Sequence, residues 1–204
     1  MIANTRLKND LFEVIVSDYI RDHRDCASKE IRYFEREPSL TAAIRQAAQS
    51  SLPNGMRQPH QRRIPKAVLD IAERQLQLAA ANLNQAQDFT ELYRLVENEI
   101  GIIRGVGPLT VYDVAHRIGT FLGKRPTVVY LHAGTKAGAA ALGLRGAMIN
   151  TSSLPAAFSR LTAAEIEDCL CIYKDELQDG KIRSGKLAGP RGCVGSGSPR
   201  KRKC

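Results

Sequence analysis

Apolar residues recur along most of this chain three or four positions apart, the spacing of one face of an α-helix. Leu7, Leu11, Val14, Ile15 and Tyr19 predict a first amphipathic helix. The stretch SKEIRYFERE (28–37) predicts a short second one. PSLTAAIRQAAQS (38–50) predicts a third, with Ser39 or Thr41 at its N-cap and an alanine-rich interior of high helix propensity. Residues 50–65 hold Pro53, Pro59 and Pro65 and a Pro-Asn-Gly turn. They read as a solvated loop that carries Arg57, Arg62 and Arg63. Pro65 then opens a long helix with Leu69, Ala72, Leu76, Ala79 and Leu83 on one face.

Asp88 and Glu91 resemble a capping box ahead of Leu92, Leu95, Val96 and Ile100. Another helix, from Leu109, uses Val111, Val114, Ala115 and Ile118. RPTVVYL (125–131) is the only strand-like run, and a buried extended connector fits it equally well. HAGTKAGAAALGLRGAM (132–148) reads as a small-residue helix in which Gly134 and Gly138 let another backbone approach closely. Thr162 and Glu165 form a second capping box. From Gly180 the chain is rich in glycine, proline, serine and basic residues and predicts a flexible tail. The pattern as a whole predicts an all-α helical bundle with a disordered basic C-terminal tail. Its expected parts are an N-terminal helical region (1–86), a helical unit (87–179) and the tail (180–204). Whether the first two share one core is left open by the pattern.

Charge adds a partner to this picture. The formal net charge is +9. Residues 180–204 carry Lys181, Arg183, Lys186, Arg191, Arg200, Lys201, Arg202 and Lys203 and no acid. The remaining body is nearly neutral, but its stretch 104–145 has Asp113 as its one acid. A polyanion would meet those two places first. No apolar run approaches the roughly 18 residues of a membrane span, and the N-terminus does not resemble a secretory signal. The cysteines, Cys26, Cys169, Cys171, Cys193 and Cys204, are odd in number and without CxxC spacing. Reduced thiols are expected, with neither a disulfide scaffold nor a zinc site.

The stretch IIRGVGPLTVYDVAHRIG (102–119) stands apart from the rest. It sets Gly105-Val106-Gly107 between two predicted helices, with Pro108 at an early position of the second. Glycines permit positive φ, and proline lacks only an N–H that the first helical turn leaves unbonded. Such an arrangement exposes helix-terminal amides that suit a phosphate. Val106 is expected to tuck between the helices. Arg104, Arg117, Lys124 and Arg125 are expected to clamp neighbouring phosphates, which reads backbone and not sequence.

These residues resemble the helix-hairpin-helix DNA-binding motif. A hydrophobic residue, Gly-hydrophobic-Gly and a Thr or Ala form its core, and Ile103, Gly105, Val106, Gly107 and Thr110 fill those places. The resemblance covers only the hairpin and its flanking helices. It implies that the amides from Gly105 through Leu109 to Thr110 grip a phosphate of one strand. The following segment is similar to the helix-hairpin-helix DNA glycosylases, in which an extended apolar run ends in Asp-x-His. The Asp position falls here on Tyr130 or Leu131, and the Schiff-base lysine of the lyase members is Leu109. The iron–sulfur cysteine loop of some members is absent too. The likeness therefore supports the binding scaffold and argues against glycosylase chemistry.

Other chemistry is thin. A dinucleotide fingerprint needs a third glycine where Thr110 stands, and GTFLGKR (119–125) falls one residue short of a P-loop. Lys124 or Lys136 as nucleophile with Asp113 as carboxylate would require another register. His23, His60, His116 and His132 are scattered; His116 reads as a solvated surface residue and His132 as a buried, hydrogen-bonded one. Glu165, Glu167 and Asp168 could suggest a nuclease, but a capping box accounts for acids in a first turn.

The reading that follows is non-enzymatic, largely sequence-independent binding of nucleic acid, double-stranded DNA foremost, without cofactor or metal. Arg200, Lys201, Arg202 and Lys203 would add an electrostatic arm. The expected location is the cytoplasm, at the nucleoid in a bacterium, or the nucleus in a eukaryote. A DNA-repair enzyme of the glycosylase/lyase or nuclease type and a helical protein-interaction module are the alternatives.

Overall fold

A computed structural model describes residues 2–52, 56–58 and 61–181. The protein is predominantly helical. Its elements are α1 (Ile2–Asp22), α2 (Arg24–Glu35), α3 (Leu40–Gln49), α4 (Lys66–Leu78), α5 (Ala80–Gln85), α6 (Phe89–Ile100), α7 (Pro108–Phe121), β1 (Val128–Tyr130), α8 (Ala133–Ala141), β2 (Met148–Asn150), α9 (Ala163–Ile172) and α10 (Lys174–Asp179). Two 3-10 turns, 151–153 and 156–160, join β2 to α9.

The helix starts follow their capping chemistry. The Ser39 hydroxyl accepts from the Ala42 amide at 3.2 Å. The Asp88 carboxylate accepts from the Glu91 amide at 2.9 Å, while the Glu91 carboxylate turns back to the Gln87 amide. Thr162 and Glu165 complete a reciprocal box. Where the structure departs from the expected helices, the reason is local. The long helix opened by Pro65 breaks at Ala79 and resumes as α5. Val128–Tyr130 is a strand, and the end of the expected small-residue helix is its partner. β1 and β2 run antiparallel with Val129 opposite Ile149. Gly143 (φ +78°) and Gly146 (φ +137°) let the chain turn back between α8 and β2.

Buried apolar residues fall into two clusters. One cluster joins α2 to α7, with Phe34, Ile44, Leu76, Leu92, Val96 and Ile118 at its centre. The second joins α1 to the C-terminal elements, with Ile15, Tyr19, Phe158, Ile166, Leu170 and Tyr173. The first helix thus packs against the last third of the sequence. β1 lies between the clusters: Val129 and Leu131 enter the second, Tyr130 the first. The alternation of a strand sends successive side chains to opposite sides, so one short segment serves both. On α1, Val14 is exposed, and Val16 takes the buried place expected for it.

The paired small residues of α8 do what their spacing predicts. A Cβ at Gly138 would stand 2.2 Å from the Leu170 carbonyl oxygen, and one at Gly134 would stand 2.6 Å from Cys171 Sγ. α8 and α9 therefore touch backbone to backbone. Cys169 and Cys171 are buried thiols outside any disulfide. Cys26 is disulfide-bonded, so the expectation of reduced thiols holds at Cys169 and Cys171 and fails at Cys26. Among the described residues, no helix is long and apolar enough to cross a membrane.

Candidate nucleic-acid interface

The turn between α6 and α7 is built by a short series of backbone bonds. The Gly101 amide donates to Glu97 O at 2.8 Å, Ile103 to Ile100 O at 3.1 Å, and Val106 to Ile103 O at 3.0 Å. Gly105 then takes φ +101°, a conformation that suits glycine. Gly107, at φ −105° and ψ 171°, is the N-cap of α7, and Pro108 is its first residue. Ile103 and Val106 pack half-buried against the first cluster, so the turn is seated on the core as expected.

No side chain caps α7. Gly107 has no Cβ, and Pro108 has no N–H to offer. The terminal amides of the helix are those of Leu109, half-buried, and Thr110, buried at 8% exposure. A Cβ placed on Gly107 would meet nothing within 4 Å, so the approach to this end is open. Arg104 is exposed beside it, and Ile102 is 87% exposed at the tip. Glu97 brings a carboxylate to a groove that Asn98, Ile102, Val106, Gly107 and Val111 also line.

The other basic residues expected at the turn lie elsewhere. Arg117 is buried at 5% exposure, where its Nη1 donates to Gln61 Oε1 at 3.0 Å and to Ala47 O at 3.4 Å. Its guanidinium also lies near the Glu30 and Asp113 carboxylates and over the Phe34 ring. It holds the fold together and offers nothing to a phosphate. Lys124 and Arg125 follow the C-terminal end of α7, about 21 Å of helix from its start. Arg125 is paired with Glu35. Arg200, Lys201, Arg202 and Lys203 lie outside the described residues.

What the sequence did not show is the neighbour of the turn. The Val68 side chain lies 3.7 Å from the place a Gly105 Cβ would occupy. The start of α4, with the arginine-bearing loop before it, therefore stands beside the turn. Positions 68 and 105 are far apart in the chain, and no periodicity links them.

The remaining polar groups are engaged in separate ties. Glu165 pairs with Arg24 at 2.7 Å, Thr135 Oγ1 donates to Glu167 at 2.6 Å beside His132, and Tyr19 donates to Asp168 at 3.2 Å. These carboxylates face three different partners and do not converge. Asp113 accepts from Gln61 Nε2 at 2.9 Å. His132 is buried, as expected. His116, expected on the surface, is instead inserted between rings, with Tyr112 stacked at 5.8 Å and Phe89 edge-on at 6.3 Å. Burial lowers its pKa to about 4. No protein-family model, no curated protein and no solved structure matches this chain.

Proposed function

We propose that this protein binds double-stranded DNA through backbone phosphates at the turn between α6 and α7, without reading sequence. The observation that carries the reading is the uncapped start of α7, open at Gly107 and flanked by the exposed Arg104. A helix N-terminus with free amides attracts an anion, and a neighbouring guanidinium strengthens that hold. The residues Ile103 to Thr110 resemble a helix-hairpin-helix in the order of their types, and the positive φ of Gly105 is compatible with that likeness. Phosphate contacts of this kind fix a protein on a duplex and carry no base information. The tail, Arg200 to Lys203, adds charge that raises the rate of encounter.

Binding to two unrelated duplexes across a salt series tests this. Both duplexes should bind equally, and log K should fall with log salt by about 0.9 for each phosphate neutralised. The measurement is repeated with Arg200 to Lys203 changed to glutamine, so that the turn is read without the tail. In that background Gly107→Ala, which keeps the amide but sets a methyl group in the open approach to it, should weaken binding about tenfold, the size of one lost bond to a charged group. Absent binding, salt-insensitive binding, or full affinity in Gly107→Ala would overturn the proposal.

A further inference from the structure

We infer that the loop preceding α4 forms a second phosphate contact beside the turn, made by Arg62 and Arg63 and held in place from inside by Arg117. The inference rests on the duplex-binding reading above and extends its footprint.

The loop reads in sequence as a solvated connection, yet its described residues are fastened at several points. The Gln58 amide donates to Ser50 O at 3.1 Å, and its side chain donates to Glu30 at 2.7 Å. Gln61 is 1% exposed; it accepts from Arg117 and donates to Asp113, both on α7. Arg57 donates to Ile64 O at 2.9 Å, which turns its charge inward along the loop. The Gln61 ties bind the segment to the same helix whose first turn is the proposed phosphate end.

Arg62 and Arg63 are what the ties leave outside. Both are exposed. Arg62 Nε donates to Arg57 O at 3.1 Å, which steadies its stem. Arg63 stands five residues before Val68, the residue against Gly105. That much chain spans at most about 18 Å. The distance corresponds to roughly five base-pair rises along a duplex, which carries one charge per 1.7 Å or so. The two arginines thus lie in the chain between Gln61, bonded to Asp113 on α7, and Val68, beside the turn, and the inference sets them within reach of a duplex seated at Gly107 and Arg104. Asp70, the nearby acid on α4, is already occupied by Lys66 at 2.8 Å and by Gln49 at 2.7 Å. The buried Arg117, which touches no phosphate, is a positioning residue: it fixes the loop against α7.

The test measures duplex affinity over a salt series for the full chain, Gly107→Ala, the double variant Arg62→Gln/Arg63→Gln, and Arg145→Gln. Arg145 is an exposed base at the distant β1–β2 edge and serves as the charge control. The double variant changes only exposed groups, and an unchanged unfolding midpoint checks its fold. Its salt slope should become shallower by one to two, at about 0.9 per lost phosphate, with roughly tenfold weaker binding at moderate salt. Arg145→Gln should leave the slope alone. Gln61→Ala, which frees the loop but keeps both arginines, should weaken binding in the same direction. If the double variant binds like wild type while Gly107→Ala does not, the loop contact is wrong and the turn stands. Equal losses in the double variant and Arg145→Gln would also overturn it, as a general charge effect. No duplex binding by the wild-type chain removes both readings.

Discussion

Gly138 and Gly107 are both glycines at helix positions, and their surroundings give opposite answers to the same substitution. At Gly138 a methyl group would meet the Leu170 carbonyl carbon at 2.9 Å as well as its oxygen at 2.2 Å. Those are backbone atoms inside α9 and cannot swing aside. α8 would have to lift away, taking Ala139 and Thr135 out of contact. Gly138→Ala should therefore cost on the order of 3 kcal/mol or more in urea unfolding. Gly107→Ala, in open space at an ordinary φ, should shift stability by less than about 1 kcal/mol. Equal losses at the two positions would refute this account of α8 on α9. The need for a small residue at 134 and 138 was legible in the sequence; which backbone used the space was not. Arg117 shows the opposite failure. Its charge and its closeness in sequence to the turn suggested a clamp. Yet it lies three residues beyond the buried Val114, one helical turn along the same inward face. That phase was the signal to weigh, and it outranks charge because a buried guanidinium is tolerated once it is fully paired.

At the level of elements, α7 carries the open turn at its start and is enclosed over most of its length. His116 sits in it with Nε2 buried and without a hydrogen-bond partner. Burial holds its pKa down to about 4 from 6.5; Arg117 and Arg125 push the same way, and Asp113 opposes them. The unfolded chain takes up this proton near pH 6.5, the folded chain only near pH 4. The stabilisation is thus fully present above pH 6.5 and is lost as the pH falls through that window, up to about 3 kcal/mol. His116→Leu should unfold in urea with a flatter pH dependence between 6.5 and 4.5, the wild type losing stability relative to the variant as the pH drops. A parallel pH dependence would show that His116 does not titrate as its setting implies. The starts of α3, α6 and α9 were readable because a cap is local chemistry within four residues. The β1–β2 pair was not, since three-residue strands are too short for alternation to register and β2 hid behind alanine and glycine. The loop before α4 looked solvated because the groups that fasten it, Glu30 on α2, Ser50 at the C-cap of α3, and Asp113 and Arg117 on α7, are far apart in the chain.

Over the whole molecule, periodicity tells which face of a helix is buried but not against what. α1 closes the far end of the chain. Ile15, Val16 and Tyr19 pack with Phe158, Leu170 and Tyr173, and ion pairs from Arg24 to Glu165 and from Arg160 to Glu13 cross the same seam. The second cluster is joined to the first by β1, whose Val129 and Tyr130 belong to opposite sides, and by Tyr112, whose ring lies 5.0 Å from that of His132. These bridges imply that the two clusters unfold together. Ile15 is fully buried in the second cluster, so Ile15→Ala leaves a cavity worth roughly 3 kcal/mol. If the clusters are one cooperative unit, the slowest-exchanging amides of α6 and α7, in the first cluster, should lose hydrogen-exchange protection by the same free energy as those of α9. Protection lost in α9 alone would mean that the α2–α7 body stands by itself, and that the turn it carries can be studied without the elements α1 holds in place.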